Sequence, residues 1–126
     1  MGTRLVGASC YDSLERARTA NKPVIIVTQK EAEAAEKSRA TTTKTWHFKA
    51  KNVRDFAWVS SKTYVWDAMG FKYRPTDKTI ELHSLYPRDA MPLWDKVSTK
   101  AIAQTMKTYG ATAFEYRYPK AVNVHG

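Results

Sequence analysis

The sequence predicts an α+β fold made of short antiparallel strands, two short helices near the start and one longer helix near the end. Three observations predict it. Several short stretches are either continuously apolar or alternate between apolar and polar residues, which is typical of strands. An Ala- and Glu-rich stretch has strong helix propensity. A later stretch repeats apolar residues at helical spacing. The 126 residues amount to one domain, or to parts of two.

The N-terminal third is predicted to fold as helix, strand and helix. A short helix is predicted over residues 12–20, followed after a proline by a buried strand at Val24–Val27, which contains only β-branched residues. Thr28 is followed three residues later by Glu31, the spacing of a capping box, and a surface helix is expected from there to residue 37.

The middle of the chain is predicted to contain four strands, over residues 45–50, 56–60, 63–66 and 78–86. In the first strand Trp46 and Phe48 alternate with polar residues, so the aromatic rings are expected on one face and the lysines on the other. In the last strand His83 alternates with apolar residues and is expected on an exposed face. Residues 70–77 are predicted to form a loop because they contain glycine, proline and aspartate at turn positions.

The C-terminal part is predicted to contain the long helix and one more strand. Pro92 suits the first turn of a helix, which is expected to run to Tyr109 and stop at Gly110. The apolar face expected to pack on the core is formed by Trp94, Val97, Ala101, Ile102, Met106 and Tyr109. Residues 121–124 begin a strand, and the absence of a turn or cap after it predicts either that the sequence was cut or that this strand pairs with something supplied from elsewhere.

Composition excludes some classes of protein and leaves others open. The net charge of +9 favours anionic surfaces, phosphates or acidic partners, although its dispersal along the chain also fits a solvated basic surface. A single cysteine, Cys10, excludes an internal disulfide and a cysteine-based metal site, and it is expected to be a small buried or terminal thiol rather than a catalytic nucleophile. The sequence contains no apolar run long enough for a membrane span. The first nine residues lack the apolar region of a signal peptide, so the signal of any secreted parent is expected outside this chain.

The sequence assigns no catalytic, cofactor-binding or metal-binding residue. His47, His83 and His125 are far apart and stand in no zinc-binding motif. The acidic pairs Asp12/Glu15 and Glu31/Glu33/Glu36 lie on predicted helices and fit solvated helix faces better than acid–base chemistry. Neither a GxSxG nucleophile elbow nor a glycine-rich phosphate loop is present.

A nucleic-acid surface is the alternative that the basic and aromatic residues leave open. Trp46 and Phe48, with Lys44, Lys49 and Lys51 around them, have the composition of an RNA-binding sheet. Their alternation places rings and lysines on opposite faces of a strand, which weakens this interpretation. The alternative function is therefore a small basic module that binds nucleic acid or an acidic partner.

Four stretches in order resemble the gluzincin zinc aminopeptidases, the aminopeptidase-N-like family, especially its bacterial members. They are residues 23–37, 44–58, 80–86 and 94–120. The most specific run is Asn52-Val-Arg-Asp-Phe-Ala-Trp58. The resemblance implies that residues 1–76 are the end of an N-terminal β-domain with a strand–helix insertion. It implies that residues 77–126 are the start of a thermolysin-like catalytic domain.

The resemblance also implies which parts of the enzyme lie outside this chain. In the family a GxMEN-type exopeptidase motif follows the strand that begins at Ala121, and the HExxH zinc helix follows later. Zinc and the peptide substrate are therefore expected to belong to the parent enzyme. This chain alone is expected to be structural and inactive, with the remainder of the catalytic domain as its partner and self-association through strand edges as a further expectation. The sequence does not indicate a compartment, and a secreted or periplasmic parent is one expectation.

Overall fold

The computed structural model describes residues 8–43, 45, 47, 49 and 51–125. In chain order the elements are α1 (Ala8–Thr19), β1 (Val24–Val27), α2 (Gln29–Lys37), β2 (Tyr64–Phe71), β3 (Ile80–Pro87), a 3₁₀ turn (Arg88–Ala90), α3 (Leu93–Thr112) and β4 (Lys120–Val124). The predicted α+β class, with one long helix near the end, is confirmed.

The four strands form one mixed sheet in the order β1-β2-β3-β4. The first three strands pair antiparallel, whereas β4 lies parallel to β3. The sequence predicted only antiparallel strands. The parallel pair arises because α3 carries the chain back along the sheet before β4, and parallel neighbours need such a crossover. Pairing along β2 and β3 joins residues 1–76 and 77–126 in this one sheet.

Both faces of the sheet are covered. On one face α1 packs on β1 and β2, and the buried apolar side chains are Cys10, Leu14, Ala17, Ile26, Trp66 and Ala68. On the other face α3 packs on β2, β3 and β4. The buried apolar side chains of that face are Met69, Phe71, Ile80, Leu82 and Met106. Strands covered on both faces read as nearly continuous buried runs, as β2 and β3 do.

The predicted capping box begins α2. The Thr28 Oγ1 atom accepts a hydrogen bond from the Glu31 backbone N at 3.2 Å, and Glu31 Oε2 accepts one from the Thr28 backbone N at 2.8 Å. These bonds from Thr28 hold the pKa of Glu31 below its usual value. At the other side of α2, Arg88 forms ion pairs with Glu33 and Glu36 at 3.2 and 2.6 Å.

The predicted strand at residues 56–60 is wrong. These residues have no regular secondary structure, and Trp58 is 73% exposed. Strand-like composition is not sufficient, because a strand needs a neighbour whose backbone pairs with it. In the predicted strand at residues 45–50, Thr45, His47 and Lys49 are irregular. Its aromatic residues, Trp46 and Phe48, lie outside the described residues, as does Lys44.

Both glycines that were predicted to interrupt elements lie inside them instead. Gly70 lies within β2. The residue there must be small, because α1 approaches so closely that a Cβ atom would lie 2.1 Å from the Arg18 carbonyl oxygen. Gly110 lies within α3. The Tyr73 ring packs against it so closely that a Cβ atom at this position would lie 2.3 Å from the ring. Both glycines serve close approach rather than a turn. Of the helices described, none combines the length and the apolarity needed to cross a membrane.

Candidate functional site

A buried polar cluster lies between the sheet and α3, centred on Asp67 of β2. This aspartate is 0% exposed although it sits in a run of apolar residues. The Tyr86 hydroxyl from β3 donates to its Oδ2 atom at 2.8 Å, and the Thr99 hydroxyl from α3 donates to its Oδ1 atom. The carboxylate therefore joins three elements through two hydrogen bonds.

A chain of hydroxyl groups extends this cluster towards β4. Thr99 Oγ1 lies 2.6 Å from Ser84 Oγ, which lies 2.9 Å from Ser98 Oγ. Asn123 Nδ2 of β4 donates to Ser98 Oγ at 3.0 Å. Each hydroxyl has a single proton, and Thr99 gives its proton to Asp67, so Ser84 must donate to Thr99 and Ser98 to Ser84. Every donor in the chain thus points towards the carboxylate.

The environment of Asp67 opposes its ionisation only in part. Burial raises the pKa of Asp67, the hydrogen bonds from Thr99 and Tyr86 lower it, and the nearby Asp95 carboxylate raises it, with a net increase. Burial and the hydrogen bond to Asp67 raise the pKa of Tyr86, so its hydroxyl remains a donor. Asp67 is fully buried, and both of its carboxylate oxygens accept hydrogen bonds from neighbouring side chains. The cluster can therefore brace α3 on the sheet, but it leaves no room for a substrate.

Asp95 in the first turn of α3 adds a second carboxylate near this cluster. Its Oδ1 atom is buried and has no hydrogen-bond partner among the described residues. The Asp95 side chain itself is only partly buried. An unpaired buried oxygen is costly, and it lies at the end of the helix where the macrodipole stabilises negative charge.

An open groove lies beside the cluster, between α3 and β4. Its volume is about 440 Å³, and it is lined mainly by apolar residues, among them Leu93, Val97 and Ile102 of α3 and Ala121 of β4. Ser98 and Asn123, the last two groups of the hydroxyl chain, also line it. The buried cluster fixes the position of both walls of this groove, because Ser98 lies on α3 and Asn123 on β4.

The opposite face of the sheet contains a charged cluster around Glu81 of β3. Arg18 Nε of α1 donates to Glu81 Oε1 at 2.7 Å, and Lys120 Nζ of β4 donates to Oε2 at 2.8 Å. Burial alone would raise the pKa of Glu81. Hydrogen bonds from His83, Lys120 and Arg18 and the charge of Lys120 outweigh burial and hold that pKa well below its usual range. Glu81 is therefore a permanent anion that ties α1 to both C-terminal strands.

His83 belongs to the same charged cluster and is 4% exposed, so the prediction of an exposed face was wrong. Both faces of β3 are covered, which a strand alternation cannot indicate. The Trp66 indole N–H donates to His83 Nδ1 at 3.1 Å, and His83 Nε2 lies 3.2 Å from Glu81 Oε2. Because an indole N–H only donates, Nδ1 must be the unprotonated nitrogen, and Nε2 carries the proton that Glu81 accepts.

The other histidines lie apart from His83. His47 is exposed and irregular, and the His125 ring packs edge-on against Trp94 at a centroid distance of 4.9 Å. Within the described part of the chain, no group of three or more His, Cys, Asp or Glu side chains could hold a metal ion. Zinc requires three or four converging ligands, so these residues do not fit the zinc site of the family that the sequence resembles.

The other residues that the sequence offered as candidates for chemistry are buried in the core, exposed on a helix or engaged in caps and ion pairs. Cys10 is buried, which is one of the two surroundings expected for it, and its Sγ atom lies 3.5 Å from the Ile26 carbonyl oxygen. Asp12 and Glu15 are exposed on α1, where Glu15 pairs with Arg18. Glu31 caps α2, and its neighbours Glu33 and Glu36 hold Arg88.

The residues of the buried cluster were missed by sequence reasoning. They are Asp67, Ser84, Tyr86, Ser98, Thr99 and Asn123. One signal was available: Asp67 interrupts the apolar run of residues 64–69, and a charge inside a buried strand requires partners. The partners themselves carry no signal, because they are distributed over three elements. Comparison with protein-family models, curated proteins and solved structures gives no match for this chain.

Proposed function

We propose that this chain is a structural segment of a zinc aminopeptidase of the gluzincin, aminopeptidase-N-like class. Residues 1–76 are assigned to the end of its N-terminal β-domain and residues 77–126 to the start of its catalytic domain. One observation supports this most. The segments that resemble the opening strand, first helix and next strand of the catalytic domain form a continuous β3–α3–β4 unit with parallel strands. A crossover helix is the connection that two neighbouring parallel strands require, and α3 supplies it here.

The proposed role of the chain is to hold β4 in place. The hydroxyl chain from Asp67 to Asn123 braces α3 against β2, β3 and β4 from one face of the sheet. The Lys120–Glu81 pair holds β4 from the other face. In the proposed parent, β4 leads into the exopeptidase motif, so its fixed position contributes to substrate binding indirectly. Zinc chemistry belongs to residues that the described chain does not contain.

The decisive test is the coding sequence downstream of Gly126. A GxMEN-like run shortly after it, followed by HExxH, is the expected result. An open reading frame that continues through a full catalytic domain's length with neither motif would overturn the proposal.

A biochemical test addresses this chain alone. With equimolar zinc it is expected neither to hydrolyse an aminoacyl-p-nitroanilide nor to bind zinc tightly at one-to-one stoichiometry. Zinc binding can be followed by calorimetry and hydrolysis by absorbance. Zinc-dependent hydrolysis by the purified chain would contradict the proposal that its role is only structural.

The alternative function, a basic binding module, is supported by the positive side of α3. Lys96, Lys100 and Lys107 are exposed and form no ion pair within the described residues. Binding to a random-sequence oligonucleotide at two salt concentrations tests it. Affinity that falls steeply with salt would favour this module, and absence of binding at low salt would exclude it.

A further inference from the structure

Two runs of residues between α2 and β2 have no regular secondary structure and are open to solvent. They are residues 38–43 and 51–62, which we call the connector runs, and every one of these residues is exposed. In the described part of the chain, no hydrogen bond between two backbone groups involves residues 39–43 or 51–62. Exposed backbone that no hydrogen bond holds in place is where proteases cleave a folded chain most readily.

The connector runs also contain the residue type that one class of protease recognises. Their cations are Arg39, Lys51, Arg54 and Lys62, and their one acidic residue is Asp55. The Lys62 Nζ atom donates to the Ser38 carbonyl oxygen at 2.8 Å, which ties the two runs together at their outer ends. Cleavage after lysine or arginine is therefore available in both runs, whereas cleavage after glutamate is available in neither.

Apart from Lys49, which lies between the runs, the other exposed cations outside helices and strands are less suited to cleavage. Lys22 and Arg74 are each followed by proline, and proteases specific for basic residues cleave poorly before proline. The turn that contains Arg74 covers only residues 72–79, between β2 and β3. An ion pair from Arg74 to Asp77 at 3.1 Å braces this turn.

The last of these cations, Arg117, lies in a connection that is held at both sides. The Tyr116 backbone N donates to the Tyr73 hydroxyl at 3.0 Å, and the Tyr116 hydroxyl donates to the Lys120 carbonyl oxygen at 2.9 Å. Backbone restrained in this way must open before a protease can bind it. The connector runs are therefore the preferred place for a first cut.

The parts of the chain on either side of the connector runs hold each other directly. Residues 8–37, the first half, pair with residues 64–125, the second half, through the antiparallel β1–β2 ladder. Arg18 of the first half bonds to Glu81 of the second at 2.7 Å, and Arg88 of the second half bonds to α2. The core cluster beside α1 takes side chains from both halves, namely Cys10, Leu14, Ala17 and Ile26 from the first and Trp66 and Ala68 from the second. An apolar core with a strand ladder and ion pairs around it has the composition of a stable interface.

We propose that the connector runs form a cleavage site for proteases specific for basic residues, and that the cleaved chain persists as a complex of its two halves. In cleavage after Arg54, water supplies a hydroxyl to the Arg54 carbonyl carbon and a proton to the Asp55 nitrogen, and the bond between these atoms breaks. The ladder, the core cluster and the ion pairs that join the halves all lie outside the connector runs. The inference rests on these contacts and does not depend on the proposed aminopeptidase origin.

Cleavage changes how the stability of the protein depends on its concentration. In the intact chain the connection holds the halves at an effective concentration on the order of millimolar. After cleavage the halves are separate molecules, so in a solution of about 10 µM each half meets the other at a concentration about a hundredfold lower. The stability of the cleaved protein therefore falls on dilution, whereas that of the intact chain does not.

Limited digestion of the whole chain with trypsin tests both parts of the proposal. Within residues 8–125, the first cuts are expected in the connector runs or between them, and mass spectrometry locates them. At about 10 µM the two fragments should leave a gel-filtration column together, at the volume of the intact chain. A glutamate-specific protease should cut the same protein at least about tenfold more slowly, because its sites lie outside the connector runs.

A set of substitutions separates backbone order from the exposure of side chains. Lys96→Gln, Lys100→Gln and Lys107→Gln, combined, remove cations that are equally exposed but lie in α3, and they should leave the rate of the first cut unchanged. The matched set should slow the first cut at least about tenfold; it combines Arg39→Gln, Lys44→Gln, Lys49→Gln, Lys51→Gln, Arg54→Gln and Lys62→Gln. If circular dichroism shows that this set is unfolded, the comparison of the two proteases on the wild type decides.

Two neighbouring isoleucines of β1 test what holds the cleaved halves together. Ile26 is buried in the core cluster, whereas Ile25 is 40% exposed. Ile26→Val should raise the concentration at which the cleaved halves separate about fivefold, because a buried methyl group is lost from the interface. Ile25→Val removes the same group from an exposed position and should leave that concentration nearly unchanged.

Three results would overturn the proposal. A first cut in a helix, in the 72–79 turn or beside Arg117 would show that the connector runs are not the cleavage site. Equal rates for trypsin and the glutamate-specific protease would show the same. Fragments that separate or precipitate at about 10 µM would show that the halves do not hold each other. None of these outcomes bears on the coding sequence downstream of Gly126.

Discussion

The two faces of the sheet stabilise a buried carboxylate in different ways. On the α1 face, Glu81 is surrounded by the cations of Arg18 and Lys120 and by the His83 N–H, and its pKa is held well below its usual range. On the α3 face, Asp67 receives only neutral hydroxyl groups, and its pKa stays raised. The comparison teaches that cations together with the His83 N–H overcome the cost of burial at Glu81, whereas the hydroxyl donors at Asp67 only reduce that cost.

Neutralising each carboxylate in turn should expose this difference most strongly. Glu81→Gln leaves Arg18 and Lys120 without their anion and should lower the free energy of unfolding by about 3 kcal/mol, at the low end for a broken buried pair because Arg18 is partly exposed. Asp67→Asn removes a charge that burial already disfavours, but it replaces one acceptor oxygen with an NH2 group, so Tyr86 or Thr99 loses its acceptor; it should cost about 1 to 2 kcal/mol. Urea unfolding at neutral pH measures both.

Glu15→Gln is the control for this pair of variants. Glu15 also binds Arg18, but its side chain is mostly exposed, so its loss should change stability by less than about 0.5 kcal/mol. If Asp67→Asn destabilises the protein as much as Glu81→Gln, the contrast between the two faces is wrong.

The close approach of α1 to β2 offers a second way to disturb the charged face. Gly70→Ala would place a methyl group against the Arg18 carbonyl oxygen, which is backbone and cannot turn away. The change should cost about 2 to 3 kcal/mol. Gly110→Ala is the matched control: it meets the Tyr73 side chain, which can rotate, and alanine favours the helix. It should cost about 1 kcal/mol or less, and thermal unfolding of both variants tests the order.

Shortening the hydroxyl chain tests the α3 face. Thr99→Val keeps the shape of the side chain but removes the donor to Asp67 and the link to Ser84. The loss should be about 1 to 2 kcal/mol, because two buried groups lose a partner. Ser13→Ala, which removes only an acceptor for Arg16 on α1, should leave stability nearly unchanged. Equal stability of the wild type and Thr99→Val would show that the hydroxyl chain contributes nothing to holding α3 on the sheet.

The sequence could predict elements but not how their faces meet. The Thr28–Glu31 capping box, the β1 run and the existence of α3 follow from local chemistry, and all are present. The orientation of α3 did not follow from its apolar pattern, because Asp67 in a distant strand recruits Thr99 to the core side. A partner 32 residues away leaves no periodic signal.

The same limit explains the errors in the strands. The alternation of apolar and polar residues in β3 predicted that one face of the strand is exposed to solvent. His83 and Glu81 on that face are instead buried, because α1, Arg18 and Lys120 cover it. Residues 56–60 have strand composition, yet they belong to no strand of the described sheet. Each error concerns what lies opposite an element, which is set by tertiary packing and not by the element's own sequence.

Acid titration distinguishes Glu81 from Asp67, because the two carboxylates change the free energy of unfolding with pH in opposite directions. This is the smallest of the effects predicted. The folded-state pKa of Glu81 lies well below the usual value of 4.5, so its contribution to stability is fully present above about pH 4.5 and is lost as pH falls towards the folded-state pKa. The folded-state pKa of Asp67 lies above 3.8, so its contribution is present below about pH 3.8 and is lost as pH rises through the folded value.

Stability of the wild type should therefore fall in acid, with Asp67 partly opposing the fall. Urea unfolding between about pH 3 and pH 7 should give a flatter profile for Glu81→Gln and a slightly steeper one for Asp67→Asn than for the wild type, because each variant removes one of two opposing linkages. Changes of the same sign in both variants would mean that the hydroxyl groups around Asp67 stabilise its anion as effectively as cations stabilise Glu81. Burial would then no longer be the dominant influence on the α3 face.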